Sequence, residues 1–424
     1  MANLKPIHFD KIMVKSLLIL LYLFFYVSDC DAKTIFVGAN ESLHSIQDAL
    51  NLAENGDTVF VRNGIYKEHD ILLSKSIHLI GEKNVLIDGE KSSGIVVSET
   101  SNFSISGLSF TNIGVSYISD LAAIKVSNST DFIIQDCRLE NVFFGILIEK
   151  SKRGIIRTNQ ISSVRKNEAS SGNGIHIWSG DDMEVYNNEL FGLRDGIYFE
   201  FVKNSRVFEN FSHDNLRYGL HFMFSNSNLY HHNTFKNNGS GVAVMFSKFI
   251  TMHHNTFEFN WGSASYGLLL KEIYDAEIYE NTFEQNTIGV NAEGSTRINY
   301  TNNRFIRNGW AVKIAGACYA NKFSKNDFMS NSFDVAYNSK ENDNTFDGNF
   351  WTDYTGYDLD KNGIGDIPYR PVKLFSFIVN KSPEALVLLR SLFIDLVNFS
   401  EKVTPVFTPS HLMDTNPLMR QIND

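Results

Sequence analysis

Cysteine is scarce in this chain: beyond Cys30 near its start, only Cys137 and Cys318 remain. Basic residues are outnumbered as well, and a formal net charge of -10 leaves no basic stripe of the kind nucleic acid needs. Nor does any Pro-, Gly- or Ser-rich linker divide the chain. The apolar run from Leu17 to Val27 is about half of the roughly 20 residues that span a bilayer. With Lys5, Lys11 and Lys15 ahead of it and small or polar residues ending at Ala32 behind, residues 1–32 read as a secretory signal. Asp29 before Cys30 is a poor fit to a lipoprotein site. Export to an oxidising compartment raises the question of a disulfide, but the repeat described next separates Cys137 from Cys318 by about eight strand spacings, roughly 38 Å. Bridged Cα atoms lie within about 7 Å, so both are expected as isolated or buried thiols.

What the chain has in abundance is itself. An asparagine followed by x-Phe or a variant returns at Asn188, Asn210, Asn233, Asn255, Asn281, Asn303 and Asn326, in steps of 22, 23, 22, 26, 22 and 23 residues. The same corner extends back through Asn159 and Asp136 to Gly107. A fixed period outranks local propensity, and about 22 residues suits three short strands and three turns at roughly 3.3 Å per residue. A leucine-rich repeat has a similar period, but its leucine grammar is missing. The units are instead built of β-branched and aromatic residues that favour strands. The expected fold is all-β, a right-handed parallel β-helix of roughly twelve rungs. Glycines heading each unit (Gly174, Gly196, Gly219, Gly241, Gly267, Gly289) are read as supplying positive φ at a corner. The asparagines are read as a second corner that tolerates left-handed backbone and bonds along the stack. That ladder is structural and receives no chemistry.

Residues Glu41 to Ala53 read as an amphipathic helix, with Ile46, Ala49, Leu50 and Ala53 on one face, capping the first rung. The expected organisation is then a capped solenoid over 33–350, an Asp-rich closing loop over 351–371 and an apolar helical tail over 372–424. In the tail, Ser382 and Pro383 make a helix start, and Leu386 to Phe399 are apolar over most of the circumference. Packing on the last rung would cover one face, leaving either a buried cap or a partner surface such as one at a membrane.

Alternation sorts the Gly-led strands into inside and outside. Leu220, Phe222 and Phe224 are assigned to the core. His176, Trp178, Tyr198, Glu200, His221, Met223 and Met245 then form one outward patch. Met223 and Met245 should stack about 4.8 Å apart on adjacent rungs, with His221 on the same face. Thioether and imidazole together favour soft Cu(I), although methionines packed beneath loops would give the same pattern. Extra residues around Val115 to Leu121, Ser163 to Gly172 and Asn260 to Tyr266 all precede Gly-led strands and should frame this face. His176 is a weaker copper candidate. So are His231 and His253, which should stack outside another face, where exposed histidines are also commonly just solvated. Asp358, Asp360, Asn362 and Asp366, with Gly363, have the oxygen spacing of a calcium loop. Tyr369 stands where the usual glutamate would be, so an Asx-rich turn remains the alternative.

Gly219 to Asn226, Gly241 to Ser247, Gly348 to Trp351, Asp366 to Pro371 and Leu388 to Ser391 are similar to segments of the NosD family, periplasmic β-helix proteins of nitrous-oxide reductase maturation. The resemblance covers essentially the whole mature chain. It implies a non-enzymatic periplasmic factor that handles copper, works with the permease of a membrane ABC transporter, and meets a small copper-chaperone lipoprotein and the reductase itself. The rival is a carbohydrate-active β-helix enzyme, a polysaccharide lyase, hydrolase or epimerase. That chemistry needs convergent acids and bases, whereas the Gly-led face carries Glu200 among His, Met and aromatics. A purely structural or adhesive repeat protein is a third reading.

Overall fold

A computed structural model describes residues 32–116, 119–164, 167–168, 171–338, 343–388, 391–403 and 412–422. The secretory-signal residues 1–31, and parts of the first two insertions, lie outside the described residues. Three parallel sheets run the length of the molecule, of 14, 13 and 12 strands. Each rung contributes one strand to each sheet, giving a parallel β-helix of about thirteen turns. The Gly-led strands form the 12-strand sheet, from Ile71–Leu73 to Phe333–Tyr337. The strands before the asparagine corner form the 14-strand sheet, and those after it the 13-strand sheet.

Stacking in register puts like on like in the core. Phe235, Phe257, Phe283, Phe305, Phe328 and Trp351 form one continuous column with ring centroids 4.1–5.4 Å apart. The asparagine corner forms a second column. From Asn188 onward each amide donates Nδ2–H to the Oδ1 of the next, at 2.9–3.0 Å, as far as Asn349. A parallel ladder, Asn215, Asn238, Asn260, Asn286, Asn308 and Asn331, marks the next corner and escaped the sequence reading. Both columns satisfy polar groups that would otherwise be buried without partners.

Two expectations about corners are corrected. The head glycines do not have positive φ. A Cβ on Gly219 would stand 2.7 Å from the carbonyl oxygen of Gly241 and 2.8 Å from the Phe235 ring, so glycine is required by close approach between rungs. The ladder asparagines are not left-handed either; the residue before each one is, as at Asn187, Glu209, His232, His254, Glu280 and Asn302, with φ 54–55°. A left-handed residue breaks strand alternation and turns its side chain outward beside its predecessor.

Helix α1 (Ile46–Leu52) is shorter than expected, with Ser45 as N-cap accepting from the Asp48 amide, and it buries Ile46, Ala49 and Leu50. Cys137 and Cys318 are free and buried. In the tail, Ser382 both ends one helix and precedes the next, its carbonyl accepting from the Ala385 amide at 2.9 Å. Helix α2 (Leu374–Lys381) precedes it, a 3₁₀ segment Pro383–Leu388 follows, and α3 is Leu392–Val403. Phe375, Val379 and Ile394 pack on Ile288, Trp310, Phe333 and Ala336, on the outer face of the last three strands of the 12-strand sheet. The end is closed by 412–422. Asp414 accepts hydrogen bonds from the amides of Gly348 and Asn349, the side-chain amide of Asn349 and the indole of Trp351, at 2.9–3.0 Å.

Candidate metal-binding face

The register places the candidate residues of the 12-strand sheet in two outward columns. One runs Leu147, His176, Tyr198, His221, Ala243; the other runs Glu149, Trp178, Glu200, Met223, Met245, Lys271. Met223 and Met245 are direct neighbours across adjacent strands, and both are partly exposed. His221 belongs to neither solvent nor core. It is 6 % exposed, covered by Tyr198 and Tyr218, whose ring centroids lie 4.7 and 4.9 Å away.

Behind it sits Asp195, fully buried, with its carboxylate gripped by the Arg217 guanidinium and its Oδ2 3.8 Å from His221 Nδ1. Burial is the largest influence on Asp195 and raises its pKa, but the hydrogen bonds and charge of Arg217, with the nearby His221 imidazole, outweigh it and leave the carboxyl below its usual range. It is therefore an anion held next to the imidazole. Burial, aided by the charge of Arg194, pushes His176 down to about 4, so that ring is neutral at ordinary pH. Burial and the nearby Glu200 carboxylate raise the Tyr198 phenol to about 12, and this hydroxyl donates to the Met223 sulfur at 3.6 Å.

Neither ring nitrogen of His176 or His221 has a hydrogen-bond partner, although all four are buried. Such orphans are costly in a protein interior. At His221 they lie in the column next to two thioether sulfurs, and that donor set fits a soft monovalent ion. His176 does not join it, because the Tyr198 ring is interposed, 4.6 Å from one imidazole and 4.7 Å from the other. Among the described residues no three His, Cys, Asp or Glu side chains gather around a common point for a metal.

Phe224 was assigned to the core and is not there. It is 40 % exposed with φ 50°, stacked between Phe201 and Phe246 at centroid distances of 5.2 and 5.1 Å. All three have left-handed backbone and follow Glu200, Met223 and Met245, so an outward phenylalanine ladder borders the methionine column. Simple alternation misses it because the corner begins one residue earlier than the apolar pattern suggests.

His231 and His253 stack outside the 14-strand sheet as expected, with centroids 4.9 Å apart and planes 2° from parallel. Burial, and then neighbouring histidines, lower both, His253 to about 4. In the closing loop, Asp358 accepts from the amides of Asn362 and Gly363 at 3.1 and 2.8 Å, Asp360 accepts from Asn362 Nδ2 at 2.9 Å, and Asp366 Oδ2 accepts from the Leu359 amide at 2.8 Å. The four predicted oxygen donors thus share one Asx-rich turn whose carboxylates already engage backbone N–H groups.

Fold and face together define a parallel β-helix that displays thioethers and imidazoles on the outer face of its 12-strand sheet. A family model described as "Periplasmic copper-binding protein (NosD)" matches residues 157–356, which contain both columns from His176 and Trp178 onward. The "Probable ABC transporter binding protein NosD" of Pseudomonas aeruginosa is 26 % identical over 394 residues, spanning 88 % of this chain and 91 % of that protein. The protein of the same description from Stutzerimonas stutzeri is 29 % identical over 122 residues, 28 % of each chain. Through that 200-residue match and these relatives the chain is similar to the NosD family. Among solved structures, a family 28 exopolygalacturonase of Yersinia enterocolitica superimposes with a TM-score of 0.60 at 11 % identity, covering 74 % of this chain and 78 % of that one. The catalytic domain of a GH87 α-1,3-glucanase gives 0.53 at 11 % identity, covering 74 % and 68 %. At such identity these two establish the fold alone.

Proposed function

We propose that this protein is a non-enzymatic assembly factor of the periplasm that accepts copper, as Cu(I), and passes it on for maturation of nitrous-oxide reductase. The supporting observation is the direct pairing of Met223 with Met245 beside the unpartnered nitrogens of His221. Copper here is cargo. Two thioethers and one imidazole bind it firmly enough to exclude hard cations, while leaving a position through which a second protein can take it. Asp195, an anion behind His221, holds the ring in place and offsets the charge of an arriving cation. A small copper-chaperone lipoprotein is the donor in this reading and the reductase the recipient. The transporter association named for the relatives suits the exposed apolar surface of α3, which would meet the permease on the periplasmic side of the cytoplasmic membrane. Calcium in the Asp358–Asp366 turn would be structural.

The reading is tested by anaerobic Cu(I) titration of the mature protein against a competing chelator. Met223→Ala and Met245→Ala are each expected to weaken binding by tenfold or more, and His221→Ala by a similar factor. Unchanged affinity in all three sinks the assignment. Release of oligosaccharides from uronic-acid polymers by the wild-type protein would favour the carbohydrate-active alternative instead.

A further inference from the structure

The 14-strand sheet carries a second collection of donors with no part in the methionine face. His231 and His232 are consecutive, as are His253 and His254, and consecutive strand residues ordinarily point to opposite faces. Here the second of each pair is left-handed, at φ 55° and 54°, so both rings of a pair project outward together. Register then stacks the pairs. His231 lies on His253, and His232 lies on His254 with centroids 4.8 Å apart and planes 8° from parallel. The result is a two-by-two array of imidazoles, walled by Phe208 on one side and Tyr279 on the other, each stacked on its neighbour at 5.1 and 4.8 Å.

Within each pair the two Nδ1 atoms face each other at 2.9 Å. Two nitrogens bound cis to one ion at about 2.0–2.1 Å, with an angle between 90° and the tetrahedral value, stand about 2.8–3.4 Å apart. The observed separation falls inside that range. A second feature is independent of this one. His254 Nε2 lies 3.1 Å from Glu280 Oε2, and Glu280 occupies the same corner position one rung further on. With the Nε2 proton donated to that carboxylate, the His254 Nδ1 lone pair is fixed toward His253. That is the carboxylate–histidine arrangement that orients metal ligands in known sites. Imidazole nitrogens with open positions for water suit borderline divalent ions, Cu(II) or Zn(II), rather than the soft ion of the thioether face.

We infer that the His231–His232 and His253–His254 pairs are bidentate sites for borderline divalent transition ions, one ion per rung. Each ion takes two protein nitrogens and completes its coordination with water. The His253–His254 site is the tighter of the two because Glu280 orients it. Binding shifts the Nδ1 proton shared within a pair to a solvent-facing Nε2, so no oxidation or reduction is involved. The inference is independent of the Cu(I) reading and survives its failure.

The test uses the full mature protein, titrated aerobically with CuCl2 and followed by electron paramagnetic resonance. Two equivalents with nitrogen hyperfine structure from two imidazoles are expected, and the same two in Met223→Ala/Met245→Ala. His232→Asn/His254→Asn should lose both. Asparagine already occupies this left-handed corner at Asn187 and Asn302, so the replacement keeps the fold, as an unchanged circular dichroism melt would verify. Glu280→Gln should weaken the tighter site by about tenfold or more while leaving stoichiometry unchanged. Identical spectra and stoichiometry in the His232→Asn/His254→Asn protein, or no nitrogen-ligated copper in the wild type, would overturn the proposal.

Discussion

Single residues carry the chemistry of this protein through their surroundings more than through their type. Asp334 is an example: burial raises its carboxyl to about 7, with Tyr369 donating to it at 3.3 Å. An acid whose folded pKa lies above its unfolded value contributes stability that is complete below about pH 4 and is lost as pH rises through about 7. Asp334→Asn is therefore expected to gain roughly 2–4 kcal/mol over the wild type at pH 8. The difference should vanish near pH 4, as measured by denaturant unfolding at both pH values. At this scale the sequence is legible where side chains alternate. Counting assigned His221, Met223 and Met245 to one face; the register sets Met223 directly beside Met245, while His221 lies buried under Tyr198 and Tyr218. Counting failed at Phe224 and gave no reason to pair His232 with His231, because a left-handed residue reverses the parity and nothing in its identity announces it.

Among elements, the rungs were the most readable part, since each repeats the same burial pattern and every copy reinforces the register of the next. The tail was the least. Its apolar composition signals helices, but α2 begins at Leu374, before the Ser382 start that capping rules favour, because Phe375 and Val379 find an apolar stripe on the sheet. That stripe is dispersed over Ile288, Trp310 and Phe333, one residue per rung, and is invisible in any local window. Leu392, Phe393, Leu396 and Phe399 remain exposed on α3. Phe393→Ser/Phe399→Ser should leave the melt of the solenoid unchanged while abolishing co-purification with a membrane transporter complex. Retention of the complex would remove α3 from the docking surface. The Asp358–Asp366 turn has its own expected outcome. Millimolar calcium should raise the thermal midpoint of the wild type by a few degrees and leave Asp358→Asn/Asp360→Asn where it was.

For the molecule as a whole, the ends decide whether a solenoid is soluble. An open last rung presents unpaired strand edge to any similar chain. Here the edge ends on Asp414, which takes the place of one more ladder asparagine and receives four N–H groups. Asp414→Ala leaves those donors without an acceptor and should cost about 3 kcal/mol or more. Faster hydrogen exchange across residues 345–351 and concentration-dependent self-association in sedimentation are the readouts. Neither ladder logic nor periodicity reaches this residue from the sequence, since the spacing of 65 residues from Asn349 lies far outside the repeat.

That spacing also sets an order of events. The solenoid can wind from its first turn as the chain is delivered, each new coil templated on the one before. Its stopper arrives only with the distal segment, so a prematurely terminated product would carry the whole methionine and histidine face and still lack its lock. Such an unlatched coil would present a frayed end.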